Sequence, residues 1–347
     1  MIDFRYHLVS IVAVFLALAI GIVLGTTALN GPVTRALTTT TGQLQSENQN
    51  LRSTNGALQQ QVNGANSFAQ TAAPQLLAHQ LDGQRVLLVT APGASAPMAS
   101  GMTTTLKEAG ATITGQIALQ PRFFDTSAST QSYLDSLSQN LAAQAKPSSL
   151  TLADGTPAQH AAQVLAGALL TRSDPAGTGS GGGQAGNHDA PADSAVLSGF
   201  GQAGFLTASA APSARATLAL MIAPANPEPA TANAANQALT AVTAALGSGS
   251  MGALMAGSSS AAGPGGAITA LRGSSSAQQV SSVDDADTPI GQVTVAWAFS
   301  RQVNGHQAGS YGTGSGSTAV APSPPPSPSP SPTTSQSASA AAAGGRK

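Results

Sequence analysis

From Leu8 to Leu29 no residue carries a charge, and the string LVSIVAVFLALAIGIVLGTTAL is apolar almost throughout. No other segment of the chain constrains folding as strongly. As a helix rising 1.5 Å per residue it would extend ~33 Å, enough to cross a hydrocarbon core ~30 Å thick. A cleaved signal peptide and a buried core helix are the competing readings. A signal peptide has an apolar region of about 7–15 residues before a small-residue cleavage site. Here the run is longer, and Thr26-Thr27-Ala28 is a poor cleavage match. The sequence therefore predicts an uncleaved transmembrane helix over 8–29. Arg5 and the amino terminus precede it and a lone Arg35 follows. By the positive-inside rule, residues 1–7 are cytoplasmic and the bulk of the chain is exported across an inner (plasma) membrane crossed once. His7 falls at the lipid headgroups, where a membrane-lipid contact is expected rather than a ligand role. Gly21 and Gly25 form a G-x-x-x-G pair, the spacing that lets two spans approach closely.

A second pattern follows the span. Leu37, Leu44, Leu51 and Leu58 recur every seven residues, with Ala65 in the same phase. Placing these at heptad position d puts Thr41, Asn48, Asn55 and Val62 at a. That period predicts a coiled-coil stalk over 35–72, formed by a parallel homodimer, with asparagine at a fixing register at a cost in stability. The flanking positions are chiefly glutamine, serine and threonine, so e/g salt bridges are nearly absent. Gly42, Gly56 and Gly64 each weaken the helix by ~1 kcal/mol against alanine. Pairing of this strength depends on the membrane concentrating the partners. The alternative is a single amphipathic helix lying on its own domain.

Residues 74–312 read as an exported α/β domain. Arg85–Thr90 is a buried apolar run, Ala91-Pro92-Gly93 breaks it, Pro97–Ala109 fits a helix stopped at Gly110, and Ala111–Leu119 alternates as a second strand. Strand, helix and strand in this order make a βαβ unit with a parallel pair. Helices are expected over Thr130–Ala145 and Pro157–Leu170. A Gly/Ser/Ala-rich insertion, 174–193, cannot bury a core. After it come a helix at Val196–Phe205, a strand at Ala216–Ala223, a helix at Ala230–Leu246, and strands at Gly252–Gly257 and Ala267–Leu271. The last helix runs from an N-cap at Thr288, through Pro289, to Gly305, with Ile290, Val293 and Trp297 on one face near Val303 as core. The fold class is α/β with a Rossmann-like parallel sheet. Residues 313–347 form a disordered Pro/Ser-rich tail whose repeats from Pro322 to Pro332 favour polyproline II.

Little in this domain carries chemistry. The 13 basic and 14 acidic side chains make only 8% of the chain and a net charge of −1, so phosphates meet no basic footprint and nucleic acid is excluded as a partner. Without cysteine there is no disulfide framework or zinc ribbon. The loop Ala91–Ser95 is where a doubly wound fold places a ligand, yet it lacks G-x-G-x-x-G and a P-loop lysine. Gly93-Ala94-Ser95-Ala96-Pro97 falls short of a nucleophile elbow. Histidines 7, 79, 160, 188 and 306 are scattered, and His188-Asp189 reads as solvated. Two groups are metal candidates. Asp284, Asp285 and Asp287 could hold a hard cation, although acids near a helix start also complement its dipole. Met98/Met102 and Met251/Met255 stand four apart, on one face of a helix and of a strand respectively, and thioethers are soft ligands suited to copper(I). Apolar packing is the alternative for both pairs. No catalytic residue and no resident cofactor is expected.

Arg5, His7, Ser10, the string Phe15–Gly21 and Leu24-Gly25 form one recognisable block. The heptad stalk and the Val86–Gly93 strand and turn extend it. It returns in Ser281-Ser282-Val283-Asp284, Thr288, Gly291, Gly305 and Gly309-Ser310-Tyr311-Gly312. With these residues the chain resembles the actinobacterial MctB-like copper transport protein family, which also includes SteB-like cell-separation proteins. The resemblance implies an envelope protein of copper transport or copper homeostasis, and some relatives are described as pore-like outer-membrane proteins. A transmembrane barrel needs many alternating strands with aromatic girdles, which this chain does not supply. The alternative function is a non-enzymatic scaffold linking the inner membrane to an envelope protein partner, such as a wall hydrolase.

Overall fold

One helix, α1 (Phe4–Leu77), carries both the uncharged span and the leucine repeat. The computed structural model describes residues 4–144, 152–172, 193–225, 232–305 and 307–323, the side chains of 27–36 and 232 excepted. Within α1, Phe4–Thr26 is long and apolar enough to cross a membrane, and among the described residues nothing buries it. A buried core helix would show the reverse. The chain divides into two units, Met1–Ala65 and Asn66–Lys347.

The second unit is built on a seven-stranded sheet. Its strands are β1 (Arg85–Thr90), β2 (Thr112–Leu119), β3 (Leu206–Ala210), β4 (Leu218–Ile222), β5 (Gly252–Ala256), β6 (Val280–Val283) and β7 (Ser310–Tyr311), in the order β3-β2-β1-β4-β5-β6-β7. All neighbours are parallel except β2 and β3. The chain winds outward from β1 to β3, returns to lie beside β1 as β4, and winds outward again the other way.

Central strands read as continuous apolar runs because both of their faces are covered. Leu87, Val89, Ala219, Met221, Ala253 and Met255 pack into one core, with α3 (Ala128–Gln144), α4 (Pro157–Leu169), α5 (Ser194–Gln202), α6 (Ala232–Gly249) and α7 (Ala267–Arg272) on that side. Val86, Leu88, Leu218, Leu220, Ile222 and Leu254 pack into the other, against α2 (Ala96–Glu108) and α8 (Pro289–Gly305). Ala73 and Leu77, from the end of α1, join this second core. Trp297 packs there too, and its Nε1–H donates to the Leu76 carbonyl at 3.4 Å.

The helix starts are locally encoded. Thr156 and Gln159 form a reciprocal capping box at α4. Asp193, expected within the insertion, is instead the N-cap of α5, accepting from the N–H groups of Ala195 and Val196. Asp125 accepts from the Ser127 N–H and the Thr130 hydroxyl ahead of α3, and these bonds hold its carboxyl below the usual range.

Two expectations are corrected. Ala267–Leu271 is not a strand but most of α7. A five-residue apolar run does not distinguish the two, and here Ile268 and Leu271, three apart, bury one helical face. The strand that neighbours β5 is β6, whose central Ser281-Ser282 conceals it in the sequence. Second, residues 313–323, expected in the tail, contain a strap bonded to β7. Thr318 donates to the Ser310 carbonyl at 2.8 Å and Gly312 to that of Ala319 at 3.0 Å. The rest of the insertion, with His188-Asp189, and the tail from 324 lie outside the described residues, as does His306.

Candidate functional site

Strands β1, β4, β5 and β6 end at one edge of the sheet, where parallel α/β folds place ligands. Between β1 and β4, where the winding reverses, the crevice is filled by the two loops themselves. Ala94 bridges Pro224, the Ala225 N–H donates to the Gly93 carbonyl at 3.5 Å, and Ala91 donates to Ile222 at 3.0 Å. Ser95 is the N-cap of α2, accepting from the Met98 N–H. The loop Ala91–Ser95 thus closes on its own chain.

The polar chemistry lies two strands away, after β6. Asp284 is fully buried, and its Oδ2 receives the Arg272 Nη1 at 2.7 Å. The same carboxylate accepts from the Thr313 N–H at 2.9 Å and the Gly314 N–H at 3.0 Å. Arg272 also donates to the Ser282 hydroxyl, the Tyr311 carbonyl and the Ser315 carbonyl, all within 2.9 Å. One ion pair therefore ties α7, β6, β7 and the strap together. Beside it Ser281 accepts from Gln302 Nε2 at 2.7 Å and from the Gly309 N–H at 3.2 Å. The sheet has brought Ser281–Asp284 and Gly309–Gly312, two strings noted separately in the sequence, into a single clamp.

The three candidate carboxylates part company here. Asp284 is committed to Arg272 and the strap, and Asp287 is exposed. Asp285 is half-buried, and its Oδ1 is shut from solvent with no donor among the described residues. Burial pushes its carboxyl up to about 6, and the neighbouring charges of Asp284 and Asp287 add to the rise. Among the described residues no three His, Cys, Asp or Glu side chains gather as a metal-holding group.

Asp285 makes stability depend on pH in a stated direction. Unfolded, the carboxyl titrates near 3.8, and folded near 6. Between those values the native state keeps a proton that the unfolded chain has lost, so this contribution is intact below pH 4 and is lost as pH rises through 6. Asp285→Asn should therefore stabilise the domain by about 1 kcal/mol at pH 7.5, after allowance for solvent screening. It should give no gain at pH 4. Thermal melts at the two pH values measure this, and equal shifts at both would refute it.

Met98 and Met102 lie on one face of α2, as their spacing requires, but that face is turned into the core beneath β1 and β4. Met98 is 4% exposed and Met102 has no exposed surface. Both side chains are enclosed by hydrophobic neighbours. The second pair does not share a face. Met251 precedes β5, which starts at Gly252, and packs against the α2/α8 core, while Met255 lies in the opposite core. Of the histidines, His79 bonds Asp82 at 2.7 Å on the surface, and His160 bonds Asp135 at 2.5 Å between α4 and α3. Arg272 and Gln302 were not singled out by sequence. The available signal was isolation: Arg272 is the only charged residue between Glu228 and Asp284, and a lone charge in an apolar domain calls for a partner.

An apolar N-terminal helix joined to a mostly parallel α/β domain, closed at its C-terminal strands by a buried clamp, defines a membrane-anchored α/β protein. The chain belongs to the family described as "Copper transport outer membrane protein, MctB", whose model matches residues 1–322. Copper transporter MctB of Mycobacterium tuberculosis (strain ATCC 25618 / H37Rv) is 27% identical to it over 317 residues, 90% of this chain and 97% of the relative. The Mycobacterium bovis protein of the same name matches equally. The matched region ends two residues after Val320, the last strap residue bonded to Gly312, so the clamp falls inside it and the tail from 323 does not.

Proposed function

We propose that this protein is a single-span envelope protein of copper transport or copper homeostasis. Its N-terminus is cytoplasmic and its Rossmann-like α/β domain is exported on a coiled-coil stalk from the inner membrane. The family match over residues 1–322, which takes in anchor, stalk, domain and clamp, carries the reading. An inner-membrane anchor is preferred to a pore because the sheet is open-ended and covered by helices on both faces. A membrane barrel presents one face of every strand to lipid. Orientation rests on Arg5 before the span.

Copper enters this reading as cargo and not as a resident ion. The candidate methionines are packed in the cores and Asp284 is consumed by Arg272, so no step is assigned to copper bound at these residues. No reaction is assigned either, and the family description names transport. A scaffold linking the membrane to a cell-separation partner draws on the heptad stalk and on a domain poor in chemical groups, and the family match does not favour it.

Deleting the gene should change cell-associated copper under copper load, measured by mass spectrometry, together with copper tolerance. Complementation with the full chain should restore both. Unchanged copper content and tolerance in the deletion strain would overturn the proposal.

A further inference from the structure

Among the described residues nothing covers the leucine stripe of the stalk. Leu37, Leu44, Leu51 and Leu58 are 54–70% exposed. An apolar side chain bared at every seventh residue over four repeats marks a helix face awaiting a partner.

The charges identify the partner. Between Arg35 and His79 the chain has one acid, Glu47, and one base, Arg52. With the leucines at d, Glu47 occupies g and Arg52 occupies e. Five residues apart on one helix, they stand about 140° apart around its axis and cannot pair within the chain. In a parallel, unstaggered pair of helices, a g residue faces the e residue five positions further along the other helix, the contact that sets partner choice and orientation in coiled coils. A second copy in register therefore presents its Arg52 to Glu47, and two-fold symmetry makes the contact twice. An antiparallel pair matches g with g and e with e, which leaves this acid and this base without opposite partners.

The other seam residues agree. Asn48 and Asn55 take successive a positions, and in register each amide meets its own counterpart. A stagger of one heptad would set one asparagine against Thr41 or Val62 and leave a buried amide poorly paired. Gly42, Gly56 and Gly64 fall at b and c, on the outer side, where they do not interrupt the seam. A Cβ added at any of the three meets nothing within 4 Å. Ala69, the next a position, is already buried in the chain's own domain, so the seam ends at Ala65. Gly21 and Gly25 stand about 140° and 100° from Leu44 around α1, so the seam does not use the glycine pair of the span.

We propose that residues 37–65 form a parallel, in-register two-stranded coiled coil with a second copy of this chain, pinned by reciprocal Glu47–Arg52 pairs. This pairing does not depend on any copper role.

The natural absence of cysteine makes the test direct, with single-cysteine variants of the full-length protein in its membrane. Leu44→Cys and Leu51→Cys should give a disulfide-linked dimer on oxidation with diamide, while Ser46→Cys and Ser53→Cys, at the outer f positions, should give several-fold less. Differently tagged Leu44→Cys and Leu58→Cys copies should each link only to their own kind. In the Leu51→Cys background, Glu47→Lys or Arg52→Glu should lower the dimer fraction about tenfold. The double swap should restore it. Equal cross-linking at d and f, a disulfide between the 44 and 58 copies, or a double swap no better than either single change would overturn the proposal.

Discussion

Arg272→Ala should cost the α/β domain about 3–5 kcal/mol, the range expected when one partner of a buried ion pair is removed. The reason lies in what stays behind. Asp284 has no exposed surface, so losing its 2.7 Å partner leaves a buried charge without its counter-ion. The Ser282 hydroxyl and the Ser315 carbonyl lose the Arg272 donor in the same change, and the Tyr311 carbonyl keeps only the Asp284 N–H. A domain typically has only 5–15 kcal/mol of stability, so a shift of this size is visible in any denaturant titration. Arg272→Met combined with Asp284→Asn keeps an acceptor for the Thr313 and Gly314 N–H groups while removing both charges. That pair should recover about half of the loss. Hydrogen exchange adds a spatial check. Amides of Ser310, Gly312 and Thr318 should exchange faster than those of β1 and β4 in Arg272→Ala, because the strap opens before the sheet does. A single variant within about 1 kcal/mol of wild type would show that the clamp is not a principal support.

Much of this architecture was legible along the chain, for an identifiable reason. Strands β1, β4 and β5 are covered on both sides, so burial itself wrote them as uninterrupted apolar runs between glycine and proline breaks. α2 and α8 carried capping serine or threonine with proline in the first turn. Edge and polar strands left no such trace. β3 is Leu-Thr-Ala-Ser-Ala with four exposed residues, and β7 is two residues long. β6 keeps Ser281 and Ser282 buried because Gln302 and Arg272 reach them across the fold, information that no local window contains. The candidate site shows the same division. Asp284 stood out as one of three clustered acids, but its partner lies twelve residues upstream and its strap begins 29 residues downstream, at Thr313. Only the β5-β6-β7 pairing brings them together. Methionine spacing left its two readings open for a related reason. Met98 and Met102 do share a helix face, but spacing alone does not say whether that face meets solvent or core. For Met251 and Met255 a four-residue interval shares a strand face only if both residues lie within the strand.

Gly291→Ala should destabilise the domain by about 2–4 kcal/mol, although alanine is the better helix former by ~1 kcal/mol. Gly291 sits in the first turn of α8, where its N–H donates to the Thr288 hydroxyl at 3.1 Å. The turn before it is fixed from both ends. Thr288 donates its hydroxyl to the Asp285 carbonyl at 2.8 Å, and the Ala286 N–H donates to the Gly257 carbonyl at 3.0 Å. A Cβ on residue 291 would fall on the Asp285 carbonyl and within 2.8 Å of the Ala286 nitrogen. These are backbone atoms that cannot rotate aside, so the whole 284–288 turn must shift, together with the Asp284 carboxylate anchored in it. The matched control lies in α1. Gly56→Ala places its Cβ in open space and should strengthen the helix by ~1 kcal/mol. One substitution with opposite signs at two helical glycines separates propensity from close approach. Melting curves of the two variants decide the matter, and a raised melting temperature for Gly291→Ala would mean that the turn yields and that the close contact does not constrain the fold.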